Sequence, residues 1–151
     1  MINNKKCTST VLGFLFNYNL KQVVLIQKKR PSWQNGFLNG IGGKIEDGET
    51  SLQAMRREFE EEAGLQVFTW KYFCTIKDPE WHVEAFASLY PILDLTNEIE
   101  TITDEEIVII DTSFSYPKNI ISNLSWLIPM AKDALAEKRL GFKGIIEYRG
   151  G

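Results

Sequence analysis

Apolar positions along the chain fall into short runs separated by polar or glycine-containing breaks. Thr8 to Phe16, rich in β-branched and aromatic residues, predicts a strand, and Gln22 to Gln27 predicts a second, with a turn at Tyr18-Asn19 between them. Lys28-Lys29-Arg30 leads into a loop from Pro31 to Gly36, and Phe37 to Ile41 predicts a short strand ending at Gly42-Gly43. Helical periodicity is confined to Ser51 to Ala63, stopped by Gly64 in the C′ position, and to Leu124 to Arg139, followed by Gly141. Gln66 to Ile76, Trp81 to Leu93, Ile107 to Ile110 and Gly144 to Tyr148 complete the expected strands. Strands outnumber helices and do not alternate with them one for one. That predicts an α+β fold with a mixed sheet flanked by helices, rather than a doubly wound parallel sheet.

The length of 151 residues suits one domain, 1–151, and an apolar fraction of 44% can fill a core without disulfides or a structural metal. A formal charge of −3 supplies no overall basic field for a nucleic-acid duplex or a membrane surface, and leaves room for a small phosphorylated ligand bound by local charges. The apolar run Val11 to Phe16 is too short for a signal-peptide core or a membrane span. Cys7 and Cys74 form no metal or disulfide pattern, so two reduced thiols in the cytoplasm are expected.

The chemistry concentrates in Gly42 to Leu65, GGKIEDGETSLQAMRREFEEEAGL. Glu58, Glu60, Glu61 and Glu62 crowd the second half of the first helix, where like charges repel at i, i+3 and i+4 and the helix dipole disfavours anions. A sequence that tolerates this calls for a compensating cation. At roughly 100° per residue, Glu58, Glu61 and Glu62 share one face beside an apolar stripe of Leu52, Met55, Phe59 and Ala63, while Glu60 points away. Carboxylate oxygens are hard ligands suited to Mg²⁺ or Mn²⁺, and no nearby His or Cys pattern suggests zinc. Arg57 can orient a carboxylate through a bidentate pair, with Glu49 a fitting partner.

This segment resembles the Nudix box, G-x5-E-x7-R-E-U-x-E-E-x-G-U with U a bulky apolar residue: Gly43, Glu49, Arg57, Glu58, Phe59, Glu61, Glu62, Gly64 and Leu65 match every defined position. The resemblance implies the Nudix fold, a mixed sheet between helices with the box as loop-helix-loop, and Mg²⁺-dependent hydrolysis of a nucleotide diphosphate bond. It implies Glu58, Glu61, Glu62 and the Gly42 carbonyl as metal ligands, and Glu49 and Arg57 as an orienting pair. The general base is left between Glu58 and a carboxylate of Thr103-Asp104-Glu105-Glu106, where the place directly before a strand favours Glu106 over Glu105.

A second resemblance, to the oxidised-purine nucleoside triphosphatase subfamily, covers Lys28-Lys29-Arg30, Asn39 to Lys44, Trp126-Leu127-Ile128-Pro129 and Gly141 to Gly144. It implies Lys28, Asn39 and Trp126 at the substrate, with Asn123 able by its own amide to hydrogen-bond a base edge, and a reaction taking a purine dNTP, oxidised or not, to monophosphate and pyrophosphate. The chain departs from that subfamily where a tryptophan and two adjacent aspartates would stand; Ile120, Ser122 and Asn123 occupy those places. ADP-ribose, FAD or a dinucleoside polyphosphate is the alternative substrate, and a non-catalytic nucleotide-binding module the alternative role. A homodimer is left open. Trp81 is open between a base-stacking edge and a buried strand residue, and the lone His82 reads as packing or surface.

Overall fold

The protein is described by a computed structural model over residues 7–136 and 144–149. Strand β1 (Thr8–Phe16) lies at the middle of a mixed sheet with β2 (Gln22–Gln27), β3 (Leu38–Asn39), β4 (Ile41–Lys44), β5 (Lys71–Lys77), β6 (Trp81–Leu89), β7 (Ile107–Asp111) and β8 (Gly144–Glu147). The order is β3-β2-β1-β6-β5-β8, with β4 also on β1 and β7 also on β2. The β1–β6 and β5–β8 pairs are parallel and the others antiparallel. Residues Val11 to Phe16 are buried without alternation, as expected of a central strand covered on both faces.

Two helices provide the cover. Helix α1 (Ser51–Ala63) closes one face with Ala54, Met55, Phe59 and Ala63 against Val11, Leu15, Val24 and Ile26. Helix α2 (Leu124–Leu135) closes the other with Leu124, Leu127, Ile128 and Ala131 against Leu12, Phe14, Phe16 and Leu25. Side chains alternate across a strand, so β1 and β2 feed both cores with successive residues. At Gly13 the side chain of Met55 packs directly onto the backbone of β1. A Cβ there would lie 2.7 Å from Met55 Sδ and 3.1 Å from Trp70 Cζ3, and Met55 is fully buried. Gly13→Ala is therefore expected to cost about 1–3 kcal/mol through overpacking, read as a lower urea midpoint with unchanged slope. An unchanged midpoint would mean that Met55 repacks freely.

The expected α+β architecture with a mixed sheet between helices is the one observed, and several boundaries move. The strand expected over Phe37 to Ile41 is two, broken at Gly40, and the second runs through Gly42-Gly43 instead of ending there. Strand β5 begins at Lys71, not Gln66, because Trp70 turns inward and its Nε1 donates to the Val67 carbonyl. Strand β6 stops at Leu89, where the chain bends into the loop that starts at Tyr90 and Pro91. Helix α2 is described to Leu135; the part of its expected span reaching Arg139 lies outside the described residues, as does Gly141. Among the described residues, no helix is long and apolar enough to cross a membrane.

Candidate active site

Helix α1 begins at a reciprocal cap. The Thr50 hydroxyl accepts from the Gln53 amide at 3.1 Å, and the Gln53 side chain accepts from the Thr50 amide at 2.9 Å. Gly64, with φ +70°, closes the other end, its amide donating to the Glu60 carbonyl. The helix is thus fixed at both ends while its apolar stripe docks on the sheet, and the acidic face has one orientation available.

Arg57 organises that face. Its Nε and Nη2 donate to the two oxygens of Glu49 at 2.8 and 2.9 Å, Nη1 donates to Glu58 Oε1 at 2.8 Å and to Glu61 Oε2 at 3.3 Å, and Nη2 also reaches the Lys44 carbonyl at 3.0 Å. The bidentate guanidinium bond holds the Glu49 carboxyl down at about 2, against the opposing effect of burial, and Glu49 in turn holds Arg57 firmly protonated. Burial raises the pKa of Glu58 above the ordinary value although Arg57 pulls it down. Gly43 leaves the space that the Glu58 carboxylate fills; a Cβ there would collide with it.

Glu62 has no such counter-ion. Burial first, then the charges of Glu58, Glu105 and Glu61, push its carboxyl up to about 7, and Lys28 only partly offsets them. Its Oε2 is buried with no hydrogen-bond partner. A buried carboxylate oxygen left unpaired among three other carboxylates is poorly stable by itself and fits a divalent cation as partner. Glu58, Glu61 and Glu62 could supply that cation's carboxylate oxygens. Among the described residues no three acidic, His or Cys side chains converge into a ready-made cage. Glu61 is turned partly to solvent, at 58% side-chain exposure, which suits a hard cation that keeps several waters.

The structure places Glu105, and not Glu106, beside this cluster. In strand period, Glu105 shares its face with Ile107 and Ile109, which pack on the α1 side, whereas Glu106 falls with Val108 on the other. Glu105 is buried. It accepts from Lys28 Nζ at 3.0 Å and from the Lys29 amide at 2.7 Å. Burial works to raise its pKa, but those two groups outweigh it and hold the carboxyl below the ordinary range. Glu106 is exposed and opens on a separate cavity of about 300 Å³ beside Lys29 and Gly36. Adjacency to a strand favoured Glu106, whereas the strand's parity brings Glu105 to the α1 side.

Next to the carboxylates lies a cavity of about 490 Å³, within the range of small-molecule sites. Gly42, Gly43 and Lys28 line it, and so do Asn39, Asn123, Trp33, Gln34 and Trp81. Lys28, Asn39 and Asn123 thus line one cavity. Trp126 is not among the lining residues: it is half-buried and packs on the α2 core. Ile120 forms a bridge to Leu38 and Ser122 is exposed. Trp81 proves to be a wall of the cavity, its ring 6.0 Å from that of Tyr148. Trp33 and Gln34 were not singled out by sequence, since a proline-led loop offers no periodicity from which to place a side chain. His82 does not line the cavity; its Nδ1 lies 3.2 Å from Ser9 Oγ.

The family model of the NUDIX domain matches residues 8–117, well over half of the chain. The chain belongs to the NUDIX family. Among curated NUDIX relatives, the oxidized purine nucleoside triphosphate hydrolase of Danio rerio is 45% identical over 62 residues, a match covering 41% of this chain and 39% of that protein. The 8-oxo-dGTP diphosphatase of Proteus vulgaris is 34% identical over 83 residues, covering 51% of this chain and 69% of that protein. The NUDIX hydrolase from Nitrosomonas europaea superposes with a TM-score of 0.70 at 18% identity, covering 94% of this chain and 80% of that one. The NUDIX domain of Shewanella oneidensis NrtR, in complex with ADP ribose, superposes with a TM-score of 0.69 at 17% identity, covering 85% and 88%. Both likenesses concern the NUDIX fold alone.

Proposed function

We propose that the protein is a divalent-metal-dependent pyrophosphohydrolase that converts a nucleoside triphosphate, a purine one oxidised or not, to its monophosphate and pyrophosphate. The observation that carries this reading is the unpaired, buried Glu62 oxygen on an Arg57-ordered carboxylate face whose neighbours, Gly43 and Lys28, also line the cavity. Glu58, Glu61, Glu62 and the Gly42 carbonyl would hold Mg²⁺ or Mn²⁺. When bound, the metal would neutralise charge on the diphosphate and acidify an attacking water. Arg57 holds Glu58 by Oε1, so Oε2 would be left to face the metal or to accept a proton. Glu49 keeps Arg57 in place through its bidentate bond. Lys28, bonded to Glu105, would meet a phosphate oxygen, and Asn39 and Asn123 would meet the base. Relatives whose names refer to oxidized purine nucleoside triphosphates and 8-oxo-dGTP support the substrate class.

The test is a phosphate-release screen with coupled pyrophosphatase and phosphatase over dNTPs, 8-oxo-dGTP, ADP-ribose, FAD and dinucleoside polyphosphates. Mg²⁺-dependent pyrophosphate release from triphosphates is expected. Turnover confined to ADP-ribose, FAD or dinucleotides would replace the substrate class. No turnover on any of them, with Mg²⁺ or Mn²⁺, would leave a nucleotide-binding module.

A further inference from the structure

Two amides of the cavity differ in an informative way. Asn123 stands at the N-cap of α2, where an asparagine oxygen ordinarily accepts from the first turn of the helix, yet it makes no such bond. Its Oδ1 is buried at the cavity with no partner. A buried acceptor left unmade is costly, and a ligand N–H would satisfy it. Asn39, by contrast, is held at both ends of its amide. Oδ1 accepts from the Gly40 amide at 2.8 Å, and Nδ2 donates to Gln34 Oε1 at 3.0 Å. This leaves Asn39 one N–H and one lone pair free, in fixed order.

Gln34 can impose that order because its own loop is clipped. The Gln34 amide donates to the Pro31 carbonyl at 2.9 Å and its carbonyl accepts from Phe37 at 2.9 Å. Gly36 donates to the Lys28 carbonyl at 2.8 Å, and Asn119 Nδ2 donates to the Gly36 carbonyl at 3.1 Å. The same turn carries Trp33, 67% exposed yet on the cavity wall. Among the described residues that line this cavity, none is acidic, so the side-chain acceptors there are amide and hydroxyl oxygens.

We propose that Gln34 is a specificity-determining positioning residue: by fixing the Asn39 amide, it makes the cavity read, together with the free Asn123 oxygen, a base edge that carries an N–H donor beside an acceptor. Size and the flanking Trp33 and Trp81 rings favour a purine. The inference deepens the nucleotide-hydrolase reading and rests on it for the choice of ligand, but it does not need turnover to be tested.

The experiment measures binding of dGMP, dAMP, dTMP and 2′-deoxyribose 5-phosphate by tryptophan fluorescence without metal, for wild type, Gln34→Leu and Gln34→Glu. Loss of one orienting hydrogen bond predicts purine affinity about 5- to 10-fold weaker in Gln34→Leu. Affinity for the base-free sugar phosphate should stay unchanged, so the ratio of purine-nucleotide to sugar-phosphate affinity should shrink. Gln34→Glu retains an acceptor for Asn39 and should keep that ratio. If wild type hydrolyses triphosphates, the Gln34→Leu defect should appear in KM with kcat preserved. A ratio unchanged in Gln34→Leu, or an equal loss for the base-free ligand, would overturn the proposal. Absence of turnover with an intact purine preference would instead sink only the hydrolase reading.

Discussion

Replacing Glu62 with Gln is expected to lower kcat roughly a hundred- to a thousandfold while making the metal-free protein more stable above neutral pH. Both effects follow from the buried Oε2 without a partner and from the carboxyl raised to about 7 against an ordinary value of 4.5. A raised carboxyl binds its proton more tightly in the folded chain than in the unfolded one. Its contribution to stability is therefore full below about pH 4.5 and is lost as pH rises through about 7. Gln carries no charge, so the variant should lack this part of the pH dependence. Thermal melts of both proteins between pH 4 and 9, without metal and with Mg²⁺, make the comparison. The wild type should lose stability toward pH 8 and regain it on Mg²⁺ addition, and the variant should do neither. A Glu62→Gln enzyme with near wild-type turnover at saturating Mg²⁺ would remove Glu62 from the metal site.

Arg57→Ala should damage both fold and activity. One guanidinium satisfies Glu49, Glu58, Glu61 and the Lys44 carbonyl together. The side chains of Arg57, Glu49 and Glu58 are 24%, 15% and 13% exposed, so the carboxylates left behind are only partly rehydrated. Stranding them is expected to cost about 3 kcal/mol, a fall in Tm of roughly 10 °C. Arg57→Lys should recover little of this, because a single ammonium cannot reproduce a bidentate fork to Glu49 and reach Glu58 as well. A Tm within about 2 °C of wild type for Arg57→Ala would show that the acidic face is ordered by the backbone alone.

The box helix and the mixed sheet were legible because they rest on local signals. Thr50, Gln53 and Gly64 mark the ends of α1, the apolar stripe marks its docking face, and the i, i+3 and i+4 spacing puts Glu58, Glu61 and Glu62 together. The Glu49–Arg57 pair was readable for the same reason, since a helix start and its second turn are close whatever the rest of the fold does. What was missed depends on tertiary placement. Glu105 reaches the site only because β7 pairs with β2 in a register that sets Ile107 opposite Ile26. Trp126 looked like a ligand contact by resemblance, but the rotation of α2 is fixed by Leu124, Leu127, Ile128 and Ala131, and that turns its ring onto the core. Trp33 and Gln34 owe their position to backbone hydrogen bonds within a loop, which no pattern of apolar and polar residues encodes.

The parallel pairing of β1 with β6 sets the order in which this protein can assemble. Ser9 and His82 meet across 73 residues of chain, and that loop must close before the two strands reward each other. Helix α1 and the antiparallel contacts of β5 with β6 involve short separations, whereas pairing β1 with β6 closes a much longer loop. Strand β4 is held on β1, and with it Gly42 and Gly43. On the ribosome, the pairing of β1 with β6 therefore waits until residues 81–89 have left the exit tunnel, long after Gly42 and Gly43 have been synthesised.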